Sequence, residues 1–160
     1  MNLVPALPGL HYVGRLDKDT EGLLLLTNDG ELTNLLTHPR HLVSKTYRAW
    51  VKGHPSQRLL ARLREGIPLN DGMTAPAEVE GIKVKGDQAL IEITIHEGRQ
   101  RQVRRMLEAI GHRVVHLERI ALGGLRLGHL NRGTYRRLTL QEVARLKRSA
   151  RPPEGSRRRP

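Results

Sequence analysis

A charge-dense loop that runs without pause into four leucines constrains this chain more than any other stretch. Residues 14–30 read Gly-Arg-Leu-Asp-Lys-Asp-Thr-Glu-Gly-Leu-Leu-Leu-Leu-Thr-Asn-Asp-Gly. Residues 23–26, all leucine and bounded by turn formers, read as a buried strand, so the polar residues before them must sit at the lip of a core. A carboxylate between Arg15 and Lys18 at such a lip is how a rigid scaffold presents a reactive acid. Asp17 is therefore the first candidate for chemistry. The plainer alternative is that Asp17 and Asp19 make local turn bonds and pair with Arg15 and Lys18.

The rest of the chain reads as strands with helices at intervals. A short helix is predicted over residues 31–37, stopped before Pro39. Residues 44–53 alternate, with Lys45, Tyr47, Ala49 and Val51 on one face and Thr46, Arg48, Trp50 and Lys52 on the other. Leu59, Leu60 and Leu63 give residues 57–64 a helical stripe that Gly66 ends. Strand and turn material follows over 67–86, then a period-two run in which Leu90, Glu92, Thr94 and His96 oppose Ile91, Ile93 and Ile95. A helix is predicted from about Arg99 to Ile110, closed by Gly111. Residues 114–120 form another strand, 125–127 a short extended piece, and Thr139-x-x-Glu142 a capping box opening the last helix. Strands that pair largely without intervening helices indicate an α+β fold with a mixed, largely antiparallel sheet flanked by helices.

With 160 residues the chain is one ordinary domain, read as spanning 1–149. Residues 150–160 hold Pro, Gly, Ser and Arg with too little apolar surface to fold, and read as a disordered basic tail. No cysteine is present, which excludes thiolate chemistry and cysteine zinc sites. The eight histidines make no HExxH, and His112 and His116 fall on a predicted strand, so no metal is expected. The absence of a Gly-rich phosphate loop predicts no cofactor. No apolar run approaches spanning length, and the first nine residues lack a secretory pattern, so the expectation is a cytoplasmic protein, monomeric and without a membrane partner. The formal charge of +12 implies a polyanionic partner, nucleic acid by default. Aromatics are only 2% of residues, so any base stacking rests on one or two of them.

Two further constellations carry chemistry. Lys45-Thr46-Tyr47 places Lys45 and Tyr47 on one strand face, although a strand tyrosine is ordinarily a packing residue. In residues 97–106, Glu-Gly-Arg-Gln-Arg-Gln-Val-Arg-Arg-Met, the stripe of Val103, Met106, Leu107 and Ile110 puts Arg104 on its flank and Arg101 and Arg105 on the far side. Arg101 and Arg105 form an i,i+4 like-charge pair, costing an isolated helix roughly 0.2–0.5 kcal/mol. An anion along that face would relieve it. The alternative is a merely solvated basic face, with Glu108 compensating Arg104 or Arg105.

Taken together, the Gly14-Arg15-Leu16-Asp17 block, Lys45-x-Tyr47 and Gln102-Val103-Arg104 resemble the signature of the rRNA pseudouridine synthases of the RsuA and RluB type. The resemblance covers nearly all of residues 3–148 and implies the pseudouridine synthase catalytic fold. It implies isomerisation of uridine in ribosomal RNA, tilted by the basic tail toward the large subunit, with rRNA or a pre-ribosomal particle as partner. Catalytic roles fall on Asp17, on Tyr47 as the residue that stacks on the uracil and takes part in proton transfer, and on Arg104 as the partner of the Asp17 carboxylate. RNA-binding roles fall on Arg15, which enters the RNA and helps hold the base out, and on Lys45, Arg101, Arg105 and Leu117, the last packing against Tyr47. Tyrosine near pKa 10 is a poor base at neutral pH, so stacking is the firmer role for Tyr47.

Family members usually carry, before the segment that residues 1–8 match, a small RNA-binding module and a strand with a Lys-Pro-x-Gly element. Neither stands in these 160 residues, and Met1 reads as an internal methionine of a longer gene. Loss of that strand would expose a sheet edge. A second reading stays open, that of a basic RNA-binding domain that no longer catalyses. Asp17 with Tyr47 and Arg104 separates the two, because a pure binder needs cations but not that trio.

Overall fold

A computed structural model of the chain describes residues 4–150. In chain order its elements are β1 (His11–Val13), β2 (Glu21–Gly22), β3 (Leu25–Thr27), α1 (Gly30–Thr37), a 3-10 turn (Pro39–His41), β4 (Lys45–Lys52), α2 (Gln57–Glu65), β5 (Pro68–Leu69), β6 (Gly72–Met73), β7 (Glu78–Lys85), β8 (Gln88–Ile95), α3 (Gln102–Ala109), β9 (Val114–Leu122), β10 (Leu125–Arg126) and α4 (Leu140–Ser149). The main sheet runs β10-β9-β4-β8-β7, with β2 added parallel to β9 and the other pairings antiparallel. This is the mixed, largely antiparallel α+β architecture that the strand pattern predicts.

β4 is the central strand of this order, flanked by β9 and β8. Ala49 and Val51 are fully buried while Arg48 and Lys52 are exposed on the opposite face. Against the buried face pack α2, through Leu60 and Leu63, and α3, through Val103, Met106 and Leu107, in one apolar cluster with Ile91, Ile93 and Ile95 of β8. Each such side chain contributes about 1.5–3 kcal/mol on leaving water. A second cluster joins Val13, Leu23, Leu25, Leu32 and Leu36 to Leu122, Leu125 and Leu146. β9 belongs to both clusters, with Leu117 in the first and Leu122 in the second.

Helix ends follow their sequence signals. The Asp29 carboxylate accepts the Glu31 and Leu32 N–H groups at the start of α1, and Ser56 accepts the Leu59 N–H at the start of α2. The capping box of α4 is complete: the Thr139 hydroxyl accepts from the Glu142 N–H at 3.1 Å, and the Glu142 carboxylate accepts from the Thr139 N–H at 2.9 Å. Ala150, assigned to the tail from composition, is instead the C-cap of α4 and is buried in the second cluster. The remainder of the tail, 151–160, and residues 1–3 lie outside the described residues.

Two expectations are corrected. The four leucines do not form one strand: the chain leaves β9 after Gly22, and Leu25 begins a separate antiparallel pairing with β1. Leu23 and Leu25 are buried, whereas Leu24 and Leu26 are half-buried. The helix expected from Arg99 starts only at Gln102, because Arg101 takes a left-handed conformation with φ 51°. Among the described residues no helix is long and apolar enough to cross a membrane.

Candidate active site

A cavity of about 470 Å³ opens where the two apolar clusters meet, with Ile95, Val103 and Leu117 from the first and Val13, Leu36 and Leu122 from the second in its walls. Its polar lining is cationic: Arg15, Lys45, Arg99, Arg101 and Arg119 outnumber Asp17 and Glu97. Such a wall attracts an anionic ligand. Asp17 and Tyr47 stand in this cavity together, as do Arg15, Lys45, Arg101 and Leu117.

Each residue arrives by a local cause. The loop between β1 and β2 lifts Asp17 over the cavity, and its backbone carbonyl accepts the Thr20 N–H at 2.9 Å in a tight turn. The Asp17 carboxylate makes no hydrogen bond or ion pair with another described residue. Arg15, exposed at the mouth, is likewise unengaged, so neither it nor Lys18 forms the local pairs that the plainer reading of the loop required. Lys45 and Tyr47 share the inward face of β4, as the alternation predicts. Lys45 is half-buried and donates to the Glu97 carbonyl at 3.3 Å, and burial together with the Arg119 charge lowers its pKa. Burial also raises the Tyr47 phenol, an effect that Arg119 opposes and Asp17 reinforces. Tyr47 is thus a neutral phenol at pH 7, a hydrogen-bond donor rather than a ready base.

Arg104 does not pair with Asp17. Its Nη2 donates to the Asp19 carbonyl at 2.6 Å and its Nε lies 3.5 Å from the Asp19 carboxylate, while Arg101 grips the same carboxylate at 2.9 and 3.1 Å. Asp19 is held below its usual pKa by that grip, the hydrogen bond from Arg101 coming first. Arg104 is buried, and its partner is the next carboxylate along the loop from Asp17. It does not line the cavity. The charge repulsion expected between Arg101 and Arg105 is relieved within the protein, by Asp19 at the first and Asp71 at the second, where Arg105 makes two bonds of 3.0 and 3.1 Å. Glu108 makes no ion pair with Arg104 or Arg105 and adds only a lesser charge attraction to Arg101.

The floor beside α3 is braced by Arg99, which donates to Asp71, to the Gly72 and Met73 carbonyls and to Glu97. Burial would raise Glu97, but the Ala75 N–H, the Gln102 amide and Arg99 outweigh it and hold the carboxyl low. Arg105 and Asp71 extend this brace, which fixes the β5–β6 turn to the start of α3. Among the described residues no three His, Asp or Glu side chains gather as a metal site would need.

Arg119 is the cavity residue that the motif reading passed over. It is 3% exposed, stands opposite Tyr47 in the β4–β9 ladder, and reaches that place because a bulge intervenes between the Thr46↔Ala121 and Tyr47↔Arg119 pairs. The bulge lets Leu117, Arg119 and Leu122 all enter the cavity wall. The signal available in the sequence was an arginine two residues after Leu117, on the same period-two face as that buried leucine, a charge that burial obliges to have a partner.

Comparisons with known proteins bear on the family and the fold. The family model for RNA pseudouridylate synthase matches residues 5–109. Ribosomal large subunit pseudouridine synthase B of Bacillus subtilis (strain 168) is 51% identical over 140 residues, 86% of this chain and 57% of that relative. Ribosomal large subunit pseudouridine synthase E of Xanthomonas axonopodis pv. citri is 43% identical over 138 residues, 77% of this chain and 73% of that one. A crystal structure of a pseudouridylate synthase superposes with a TM-score of 0.82 at 38% identity, over 91% of this chain and 64% of the other. A cationic cavity holding a free carboxylate and a phenol, on this fold, defines the class. The chain belongs to the RNA pseudouridylate synthase family, and it spans little more than half the length of the first of these relatives.

Proposed function

We propose that this protein isomerises uridine to pseudouridine in RNA, with large-subunit ribosomal RNA as the substrate. The observation that carries the proposal is that Asp17 and Tyr47, thirty residues apart in sequence, stand in one cationic cavity with the Asp17 carboxylate unpaired. The two relatives at 51% and 43% identity, each called a ribosomal large subunit pseudouridine synthase, support the choice of RNA.

The reaction breaks the bond from ribose C1′ to ring N1, turns the uracil, and joins C1′ to ring C5. The proton on C5 leaves and N1 gains one, so nothing is oxidised or hydrolysed. Asp17 meets the sugar-base junction as the anion, and Tyr47 stacks on the base and offers its phenolic proton. Arg15 enters the RNA and helps keep the nucleotide out of its helix, a step required for any enzyme that acts on a base within a duplex. Lys45 and Arg101 face the cavity as cations, Arg105 lies behind Asp71, and Leu117 supports the Tyr47 ring. Arg104 acts through Asp19: it holds the loop that carries Asp17 and is a positioning residue.

The test is release of tritium from C5-labelled uridine in large-subunit rRNA transcripts by the full-length protein, with pseudouridine mapping in a strain lacking the gene. Release by the wild type and none by Asp17→Asn is the expected result. RNA binding without release in either would leave the non-catalytic binding reading in its place.

A further inference from the structure

Arg119 is a buried cation with no carboxylate. Its Nε and Nη2 both donate to the Leu23 carbonyl, at 3.0 and 2.8 Å, and the Leu23 N–H returns a bond to the Arg119 carbonyl at 2.8 Å. Among the described residues it has no acidic partner within ion-pair distance, although it is 3% exposed. Burying a guanidinium against one carbonyl is an expensive way to satisfy that carbonyl, since the desolvation of a charge is recovered only when its neighbours make use of it. The neighbour on the cavity side is Tyr47, its partner across the ladder.

We propose that Arg119 is a positioning residue for Tyr47: locked by the Leu23 carbonyl, it holds the phenolic oxygen from behind and turns the phenolic hydrogen into the cavity, toward the reacting base. This rests on the proposed function for its consequence, but its physical content is a contact. A guanidinium is planar, so two bonds to one oxygen fix its plane, and the third nitrogen then has a set direction. A phenol that accepts from a cation on one side donates on the other. The groups facing the phenol are consistent with that polarity: Arg119 from β9, Lys45 from β4, the strand of Tyr47 itself, and Asp17 from the loop.

The experiment compares Arg119→Gln, Arg119→Lys, Tyr47→Phe and the double variant Arg119→Gln with Tyr47→Phe, all in the full chain. The Cζ carbon resonance of Tyr47, assigned by its loss in Tyr47→Phe, reports the hydrogen bond to the phenolic oxygen without any turnover. Single-turnover tritium release and RNA affinity are measured in parallel, with thermal melts as the folding control. Arg119→Gln is expected to shift the Cζ resonance, to raise the pH at which it becomes phenolate, and to slow release about tenfold or more with affinity changed less than about twofold. Arg119→Lys restores part of each effect, because one cation can reach one of the two oxygens. In the Tyr47→Phe background Arg119→Gln adds no further loss of rate.

An unshifted Cζ resonance in folded Arg119→Gln, or an equal loss of rate on the Tyr47→Phe background, overturns the proposal. If Arg119→Gln does not fold, Arg119→Lys decides by the same two criteria. A wild type that releases no tritium overturns the proposed function alone, while the resonance still decides whether Arg119 holds the phenol.

Discussion

Arg101 forks onto Asp19 with bonds of 2.9 and 3.1 Å, joining the loop that carries Asp17 to the residue that opens α3. Both side chains are about half exposed, so the pair is a latch at the cavity rim more than a source of stability. It leaves the Asp17 carboxylate, two residues earlier, without a hydrogen bond or ion pair, near enough to Arg101 to feel its charge.

Asp17→Asn should reduce isomerisation about a thousandfold or more while RNA affinity stays the same or rises. The change removes a negative charge from a cationic cavity that faces a polyanion and keeps the side chain's shape. Tritium release and filter binding on the same preparation measure the two effects separately. Equal losses of both in folded protein would make Asp17 structural.

Stability should fall in acid over a window set by Asp71 and Glu142. Arg105 and Arg99 hold Asp71 at about 2 against an ordinary 3.8, and Arg136 with the Thr139 N–H holds Glu142 at about 2 against 4.5. A carboxyl whose folded pKa is depressed stabilises fully above its unfolded value and loses that contribution as pH falls through the folded one. The melting temperature is therefore expected to drop between about pH 4.5 and pH 2. Asp71→Asn and Glu142→Gln should each flatten that drop in thermal melts across the same range.

Gly22→Ala should be severe. Gly22 has φ +111°, and an added Cβ would run into the Arg119 carbonyl oxygen and lie 2.7 Å from its nitrogen, both backbone atoms that cannot step aside. A loss of about 3 kcal/mol or more in urea unfolding is expected. Gly86 is also left-handed, at φ +60°, but a Cβ there meets nothing within 4 Å. Gly86→Ala should cost only about 1–2 kcal/mol.

Arg15 and Arg105 should differ in their salt dependence. Arg15 is exposed and unengaged, whereas Arg105 is already held by Asp71 and the Gln100 carbonyl. Arg15→Ala should flatten the plot of log affinity against log salt by about 0.7 for single-stranded RNA, and Arg105→Ala by less than half of that. Titrations at several salt concentrations check both slopes.

Elements with their own periodicity were legible in the sequence. The alternation over residues 44–53 gives β4, that over 90–96 lies within β8 and just past its end, and the stripe of Val103, Met106, Leu107 and Ile110 is buried as drawn. The meeting of Asp17 with Tyr47 followed from the motifs. The partner of Arg104 was not legible, because a single left-handed residue at Arg101 sets where α3 begins and which loop carboxylate its side chains meet. Arg119 shares the face of Leu117 but carries no chemistry-bearing spacing of its own, and the bulge after it, which brings Leu122 to the same wall, leaves no trace in a period-two pattern.

The pairing of β2 with β9 joins residues 21–22 to 118–119, and the Arg119 fork reaches Leu23 across 96 positions. Closing so long a loop draws on chain entropy that only the finished sheet returns. During synthesis the acid and the phenol therefore leave the ribosome well before the strand that completes the wall around them. A partly made chain has both groups but lacks the wall that Leu117, Arg119 and Leu122 of β9 contribute to the cavity.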